Sequence, residues 1–169
     1  MKLSYSIAKA ATAAELATLH AAVAAGLTHQ YGEGPWTRNM TEKGVLFGIR
    51  HTQVVIASKH AGKDQSIAGT FRLCSKKPWA IDTSYFTPVK NAIYLTHMAV
   101  LPSLQRKGIG RMLLEEAVRR VRAWPGDAIR LDAFDAKAGA GGFYTKCGFR
   151  ECGRVSYRGT PLIYFELVL

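Results

Sequence analysis

At 169 residues, 48% of them apolar, with a mean hydropathy of −0.02 and a formal net charge of +11, the chain reads as one soluble globular domain spanning 1–169. No run approaches the ~20 apolar residues that a membrane span needs, and the alanine-rich N-terminal region is interrupted by Lys9 and Glu15 with no cleavage-site pattern after it, so neither a membrane nor a leader is expected. The basic residues are scattered, and their densest group (Arg119, Arg120, Arg122) follows Glu115 and Glu116 by one helical turn, so ordinary helix pairing accounts for it and no nucleic-acid partner is expected.

Along the chain, Leu3 to Ile7 alternates as a half-buried strand does. Thr12-Ala13-Ala14-Glu15 has capping-box spacing and opens a helix carrying Leu16, Leu19, Val23 and Leu27. His29 to Trp36, with Gly32, Gly34 and Pro35, reads as a loop, and a second helix covers Thr37 to Phe47. Gln53 to Ser58 and Ser66 to Leu73 form two strands joined by the turn Ala61-Gly62-Lys63-Asp64. Pro78 to Pro88 shows no clear period. A strand at Ile93 to Val100 precedes a helix from Gly110 to Arg122, which buries Leu113, Leu114, Ala117, Val118 and Val121. Pro125 and Gly126 stop it. A strand at Ile129 to Phe134, a short helix at Gly139 to Lys146 and a strand at Leu162 to Leu169 complete the chain. Hairpin-like strands in the first half and alternating helices and strands in the second imply a mixed α/β sheet with helices on both faces.

The segment Gln105-Arg106-Lys107-Gly108-Ile109-Gly110 joins the strand ending at Val100 to the helix that follows. Such a turn leaves the first helical N–H groups pointing outward, glycine permits close approach, and the helix dipole favours an anion. Arg106, Lys107 and Arg111 add charge, making a seat for phosphate or pyrophosphate. Two familiar nucleotide motifs fail on spacing. The third glycine of a dinucleotide fingerprint is replaced by Leu113, and neither glycine is followed by Lys-Ser/Thr.

What remains, Gln/Arg-x-x-Gly-x-Gly, resembles the acetyl-CoA-binding turn of the GNAT family of N-acetyltransferases. A second block, Ile129 to Phe134 followed by Phe143-Tyr-Thr-Lys-Cys-Gly-Phe149, is similar to that family's other signature. The resemblance implies a mixed, mostly antiparallel sheet with a splayed parallel strand pair in its middle. It implies acetyl-CoA as cofactor and direct attack by a primary amine in a ternary complex. Backbone groups of Met98, Ala99 and Val100 would pair with the pantetheine arm, with a donor near Met98 on the thioester carbonyl. Gln105, Arg106, Lys107, Gly108, Ile109, Gly110 and Arg111 would hold the pyrophosphate, and Tyr144 matches the general acid at the departing sulfur.

Two positions depart from the family pattern. Lys137 stands where many members carry an asparagine that contacts the cofactor, and a phosphate is within the reach of its side chain. No carboxylate or imidazole lies on the strand face of Tyr94, Thr96 and Met98, where several members place a base. Strict alternation aims His97 to the other face, as a packed histidine, unless a bulge re-aims it. His97, a water chain, or an amine neutralised by an apolar site remain the alternatives for the base.

The resemblance implies a small-molecule or peptide amine as acceptor, met by His29, Tyr31 and Trp36 between the first two helices, with Tyr85 in the 79–86 segment as a candidate for the other wall. The five histidines show no metal-ligand spacing, and three cysteines without a CxxC pair point to a reduced, cytoplasmic setting. An exposed edge strand offers a homodimer surface. The competing function is a non-catalytic acyl-CoA-binding module of the same fold.

Overall fold

The computed structural model describes residues 2–38, 40–61 and 64–169; the centre of the expected 61–64 turn, Gly62 and Lys63, lies outside the described residues. The elements are β1 (Leu3–Ile7), α1 (Ala13–Tyr31), α2 (Glu42–His51), β2 (Gln53–Ala61), β3 (Asp64–Cys74), β4 (Ala92–Val100), α3 (Ile109–Ala123), β5 (Ala128–Phe134), α4 (Gly141–Lys146), β6 (Arg150–Tyr157) and β7 (Thr160–Val168). The sheet runs β1-β2-β3-β4-β5-β7-β6. Within it, β1 with β2, β2 with β3, β5 with β7 and β6 with β7 pair antiparallel and β4 with β5 parallel, so the architecture is the mixed α/β sheet expected from sequence. Two compact units divide the chain, one of Met1–Leu73 with His97–Leu113, the other of Cys74–Thr96 with Leu114–Leu169.

In the first unit, Val54, Ile56, Ile67 and Ala99 pack with Leu16 and Leu19 of α1 and Val45 of α2. Val54 and Ile56 share one face of β2 by alternation. The opposite face carries Ala57, paired with Tyr5, and the Tyr5 hydroxyl donates to the carbonyl of Met112 in α3 at 3.2 Å. Helices therefore cover both faces of this unit's strands.

Helix α1 differs from expectation in three respects. Thr12 forms no side-chain cap; a 3-10 turn at Ala10–Thr12 precedes the helix, and the Thr12 hydroxyl donates to the Lys9 carbonyl at 2.7 Å. The helix runs on to Tyr31, because the chain breaks only at Gly32, whose φ of 79° is a left-handed stop. The stretch Ala10–Tyr31 is also long and apolar enough by length and composition to cross a membrane, with a mean hydropathy of 1.3 over its best window, which corrects the reading that no run qualifies. Glu15 is the one charged side chain in α1, too little to offset so much alanine and leucine. Ala13, Leu16, Leu19 and Ala24 are nonetheless buried in the protein. The second helix starts later than expected, at Glu42, where the Thr41 side chain accepts from the Gly44 N–H at 3.1 Å.

In the second unit, β5 pairs with β7 along its whole length. Strand β6, absent from the sequence reading, pairs with β7 across a tight turn whose two central residues, Arg158 and Gly159, both have positive φ. Two left-handed residues in a row are the geometry of a type I′ hairpin. Ile81, Phe86, Tyr94 and Tyr164 form a separate core with Cys74 and Cys152 against it. Beside it lies an ionic knot. Glu166, 2% exposed, accepts from Arg130 Nε at 2.9 Å, from Arg150 Nη2 at 3.0 Å and from the Thr87 N–H at 3.1 Å. Arg130 also donates to the Thr87 carbonyl at 2.6 Å and lies over the Phe86 ring.

The parallel pairing of β4 is short. It links Ala92, Ile93 and Tyr94 to Ala128, Ile129 and Arg130, three registered pairs in a nine-residue strand. The splayed pair expected in the middle of the sheet is visible in that early end of the ladder.

Candidate active site

The first unit carries the strand end and the glycine turn. After β4, a 3-10 turn at Pro102–Leu104 leads to Gln105, and α3 begins at Ile109. Gln105 Nε2 donates to the Val100 carbonyl at 3.1 Å and Lys107 Nζ to the Ser103 carbonyl at 3.0 Å, so side chains brace the turn. Arg106 and Gly108 both sit in the left-handed region, at φ 60° and 82°. The first helical bond is Met112 N–H to the Gly108 carbonyl, at 3.2 Å. The N–H groups of Ile109, Gly110 and Arg111 thus precede the intrahelical ladder, as an anion seat requires. Arg106, Lys107 and Arg111 are exposed around it, while Ile109 is buried and anchors the helix. A Cβ at Gly108 would meet no atom within 4 Å, so the need for glycine there is conformational. Met98 and Val100 are half-buried and Ala99 is buried.

His97 does not follow the alternation of its strand. Its φ is 51°, a left-handed position inside β4, and its side chain is exposed rather than packed. Its ring meets that of His20, from α1, edge-on at 6.4 Å between centroids. Loss of solvent around the ring, then the positive charge of Arg72, then His20 lower the His97 pKa to about 4. Desolvation and Arg72 do the same to His20, again to about 4. Residue 97 as a whole is nonetheless exposed, and both imidazoles are neutral at pH 7. Arg72 lies against the backbone of Gly48 in α2, where any side chain would collide with the guanidinium, and its Nη2 approaches the Met40 sulfur at 3.6 Å. The sequence reading missed Arg72 and His20. The signal was present for Arg72, a charged residue between Phe71 and Leu73 in an apolar strand.

Of the proposed acceptor contacts in this unit, His29 and Tyr31 are exposed, and Trp36 is half-buried with its indole N–H donated to the Gly32 carbonyl at 2.9 Å. His29 lines a cavity of about 450 Å³ with Thr28, Thr37 and the α1 alanines 21, 24 and 25; Tyr31 and Trp36 are not among its lining residues.

The second unit holds Tyr144. It is 8% exposed, and its ring stands among Phe143, Phe149 and Phe165 at centroid distances of 5.3, 5.6 and 5.8 Å. Burial, then the charge of Asp132 and that of Cys147, push the phenol well above its ordinary range, so it is protonated at any working pH. Asp132, on β5, has its own carboxyl raised by burial. Lys137 is exposed in the segment between β5 and α4. Tyr85 lies across Gly153 of β6 and meets Tyr164 edge-on at 5.4 Å, a packing role within this unit. Among the described residues, no group of three or more His, Cys, Asp or Glu side chains forms a metal-binding cluster.

Asp132 carries a testable electrostatic cost. A carboxyl with a raised folded pKa destabilises the fold when ionised, and the penalty fades as the pH falls. Asp132→Asn is therefore expected to raise the melting temperature at pH 8 and to bring the Tyr144 phenol down. Melting curves and an alkaline ultraviolet titration measure both, and a lower melting temperature would contradict the assignment.

A family model described as an acetyltransferase (GNAT) domain matches residues 50–151, more than half of the chain. The chain belongs to the GNAT acetyltransferase family. Its fold is shared over nearly the full length with solved structures. One is the Brucella melitensis ribosomal-protein-alanine N-acetyltransferase (17% identity over 98% of this chain and 99% of that one, TM-score 0.70). Another is Salmonella typhimurium yncA, solved with its cofactor acetyl-CoA (16%, 100% and 95%, 0.69). A third is the Bacillus subtilis acetyltransferase in complex with CoA (19%, 99% and 99%, 0.63). At these identities the likeness is one of fold. Comparison with curated protein sequences gives no match.

Proposed function

We propose that the protein is an acetyl-CoA-dependent N-acetyltransferase that transfers the acetyl group to a primary amine by direct attack in a ternary complex. The observation that carries this reading is the turn at 105–111, where left-handed Arg106 and Gly108 precede the unladdered N–H groups of Ile109, Gly110 and Arg111. That geometry, with three exposed cations, fits a pyrophosphate. Acetyl-CoA, when bound, supplies a thioester activated for acyl transfer. Met98, Ala99 and Val100 are assigned the backbone pairing with the pantetheine arm, the Met98 N–H the thioester carbonyl, and Lys137 a phosphate. Tyr144, held by its aromatic neighbours, is assigned the proton given to the departing sulfur.

The fit of the turn has a direct test. Gly108→Ala forces a Cβ into a left-handed residue at a cost of about 1–2 kcal/mol, with no steric contact to complicate the result. The free turn of the variant is expected to relax out of the left-handed conformation, and coenzyme A must restore it, so affinity falls about tenfold if the whole strain is met on binding, since 1.4 kcal/mol is a factor of ten. Calorimetry with coenzyme A measures it, and an unchanged affinity would remove the turn from the binding site. The activity itself is tested by following thiol release from acetyl-CoA across a panel of primary amines. Coenzyme A binding with no transfer to any amine would leave a binding module in place of an enzyme.

A further inference from the structure

We infer that His97 is the group that accepts the proton lost by the acceptor amine. The inference rests on the acetyltransferase reading above and names the base within that site. Three observations carry it. The left-handed φ of 51° takes residue 97 out of the β4 alternation that would otherwise bury it on the wrong face. Residue 97 is exposed as a whole, so an acceptor can reach it, while enough protein surrounds the ring to disfavour its charged form. And the residue directly precedes Met98, the assigned donor to the thioester carbonyl, one Cα–Cα step of about 3.8 Å away. A left-handed histidine in mid-strand stores conformational strain, which persists where the surroundings hold it in place.

The groups facing the ring fit a transient proton acceptor. Loss of solvent around the ring, then the Arg72 charge from β3 and His20 approaching from α1, keep His97 unprotonated at neutral pH. The same positive field lowers the pKa of an incoming ammonium, so the amine arrives more readily in its nucleophilic form. The step balances as follows. The N–C bond to the acetyl carbon forms and the C–S bond breaks. One proton passes from the amine nitrogen to a His97 ring nitrogen, and one passes from Tyr144 to sulfur. Solvent, which reaches His97, returns a proton to the phenolate and takes the one from the imidazolium.

His97→Asn suits the test because asparagine tolerates the left-handed conformation, and His97→Gly, with no Cβ, serves as the second variant. Melting with and without coenzyme A establishes that each folds and binds. With an amine that the wild type acetylates, both variants are expected to lose about 100-fold in kcat/KM, with the KM for acetyl-CoA unchanged. Their rate should climb with pH as solvent base takes over, and added imidazole should restore activity to His97→Gly. Wild-type kcat/KM in either folded variant at pH 7, or equal loss with no response to pH or imidazole, overturns the assignment of His97. A wild type that binds coenzyme A and acetylates no amine overturns the acetyltransferase reading, and this inference with it.

Discussion

Replacing Glu166 by glutamine is expected to cost about 3–5 kcal/mol of stability, the range for removing one partner of a buried ion pair. The carboxylate is 2% exposed and accepts from Arg130, Arg150 and the Thr87 N–H, while Arg130 is itself 5% exposed. With a neutral amide at 166, Arg130 keeps the Thr87 carbonyl and the Phe86 ring but loses its carboxylate partner. Arg150, more than half exposed, turns to water. Burial opposes ionisation of Glu166, but the bonds from Thr87, Arg130 and Arg150 outweigh it and hold the carboxyl below its ordinary pKa. A depressed carboxyl contributes stability above its unfolded pKa of 4.5 and loses that contribution as the pH falls through the folded value. His20 and His97 add an earlier acid limb. Their folded pKa values near 4 lie below the ordinary 6.5, so from about pH 6.5 downward the unfolded chain binds protons that the native one does not. Urea unfolding of Glu166→Gln at pH 7 measures the first effect, and an unchanged midpoint would refute it. The double variant Arg130→Met, Glu166→Leu should recover much of the loss, because a matched apolar pair leaves no orphaned charge.

Tyr144→Phe is expected to lower kcat by about 10²-fold, the lower end for loss of a positioned proton donor, while leaving coenzyme A affinity nearly unchanged. The ring stays packed among Phe143, Phe149 and Phe165, so the variant removes only the hydroxyl. An ordinary phenol, at pKa ~10, already lies above a thiol at ~8.5, by roughly 2 kcal/mol for complete transfer. Burial and Asp132 raise the Tyr144 phenol further. Free proton donation is therefore steeper than the sequence alone implied, and the assigned role becomes a donor that moves its proton only as the C–S bond breaks. Pre-steady-state acetylation by Tyr144→Phe checks this. An unaltered rate in a chemistry-limited reaction would remove Tyr144 from the mechanism.

Much of the fold was legible because periodicity records burial. The β4 and β5 runs and the amphipathic face of α3 came out within one or two residues of their observed limits. Strand β6 did not. Its sequence, Arg-Glu-Cys-Gly-Arg-Val-Ser-Tyr, is an edge strand with a bulge between Glu151 and Gly153, and its residues, none fully buried, carry no clean alternation. The Arg158-Gly159 pair ahead of the β7 run was the available signal, though only the backbone shows that both residues are left-handed. The Thr12 box failed because its hydroxyl bonds backwards to Lys9 and a 3-10 turn takes the place of a capped start. At the candidate site, the glycine turn was readable from spacing. The orientation of His97 was not, because a single reversed φ overrides a period of two and leaves no mark in composition. Arg72 and His20 meet His97 through tertiary packing, from residues 25 and 77 positions away.

The three-pair parallel ladder between β4 and β5 has a consequence for the living cell. The registered pairs between β4 and β5 end at Tyr94, and on the proposed reading the pantetheine amides take their place along Met98 to Val100. The folded state then shares its free energy with its cosubstrate. At a ligand concentration of 100 times Kd, such linkage adds about 2.7 kcal/mol, comparable to the loss from a severe core mutation. Lifetime against proteolysis would follow the acyl-CoA pool, so that the amount of protein present, and not only its turnover, registers the carbon supply.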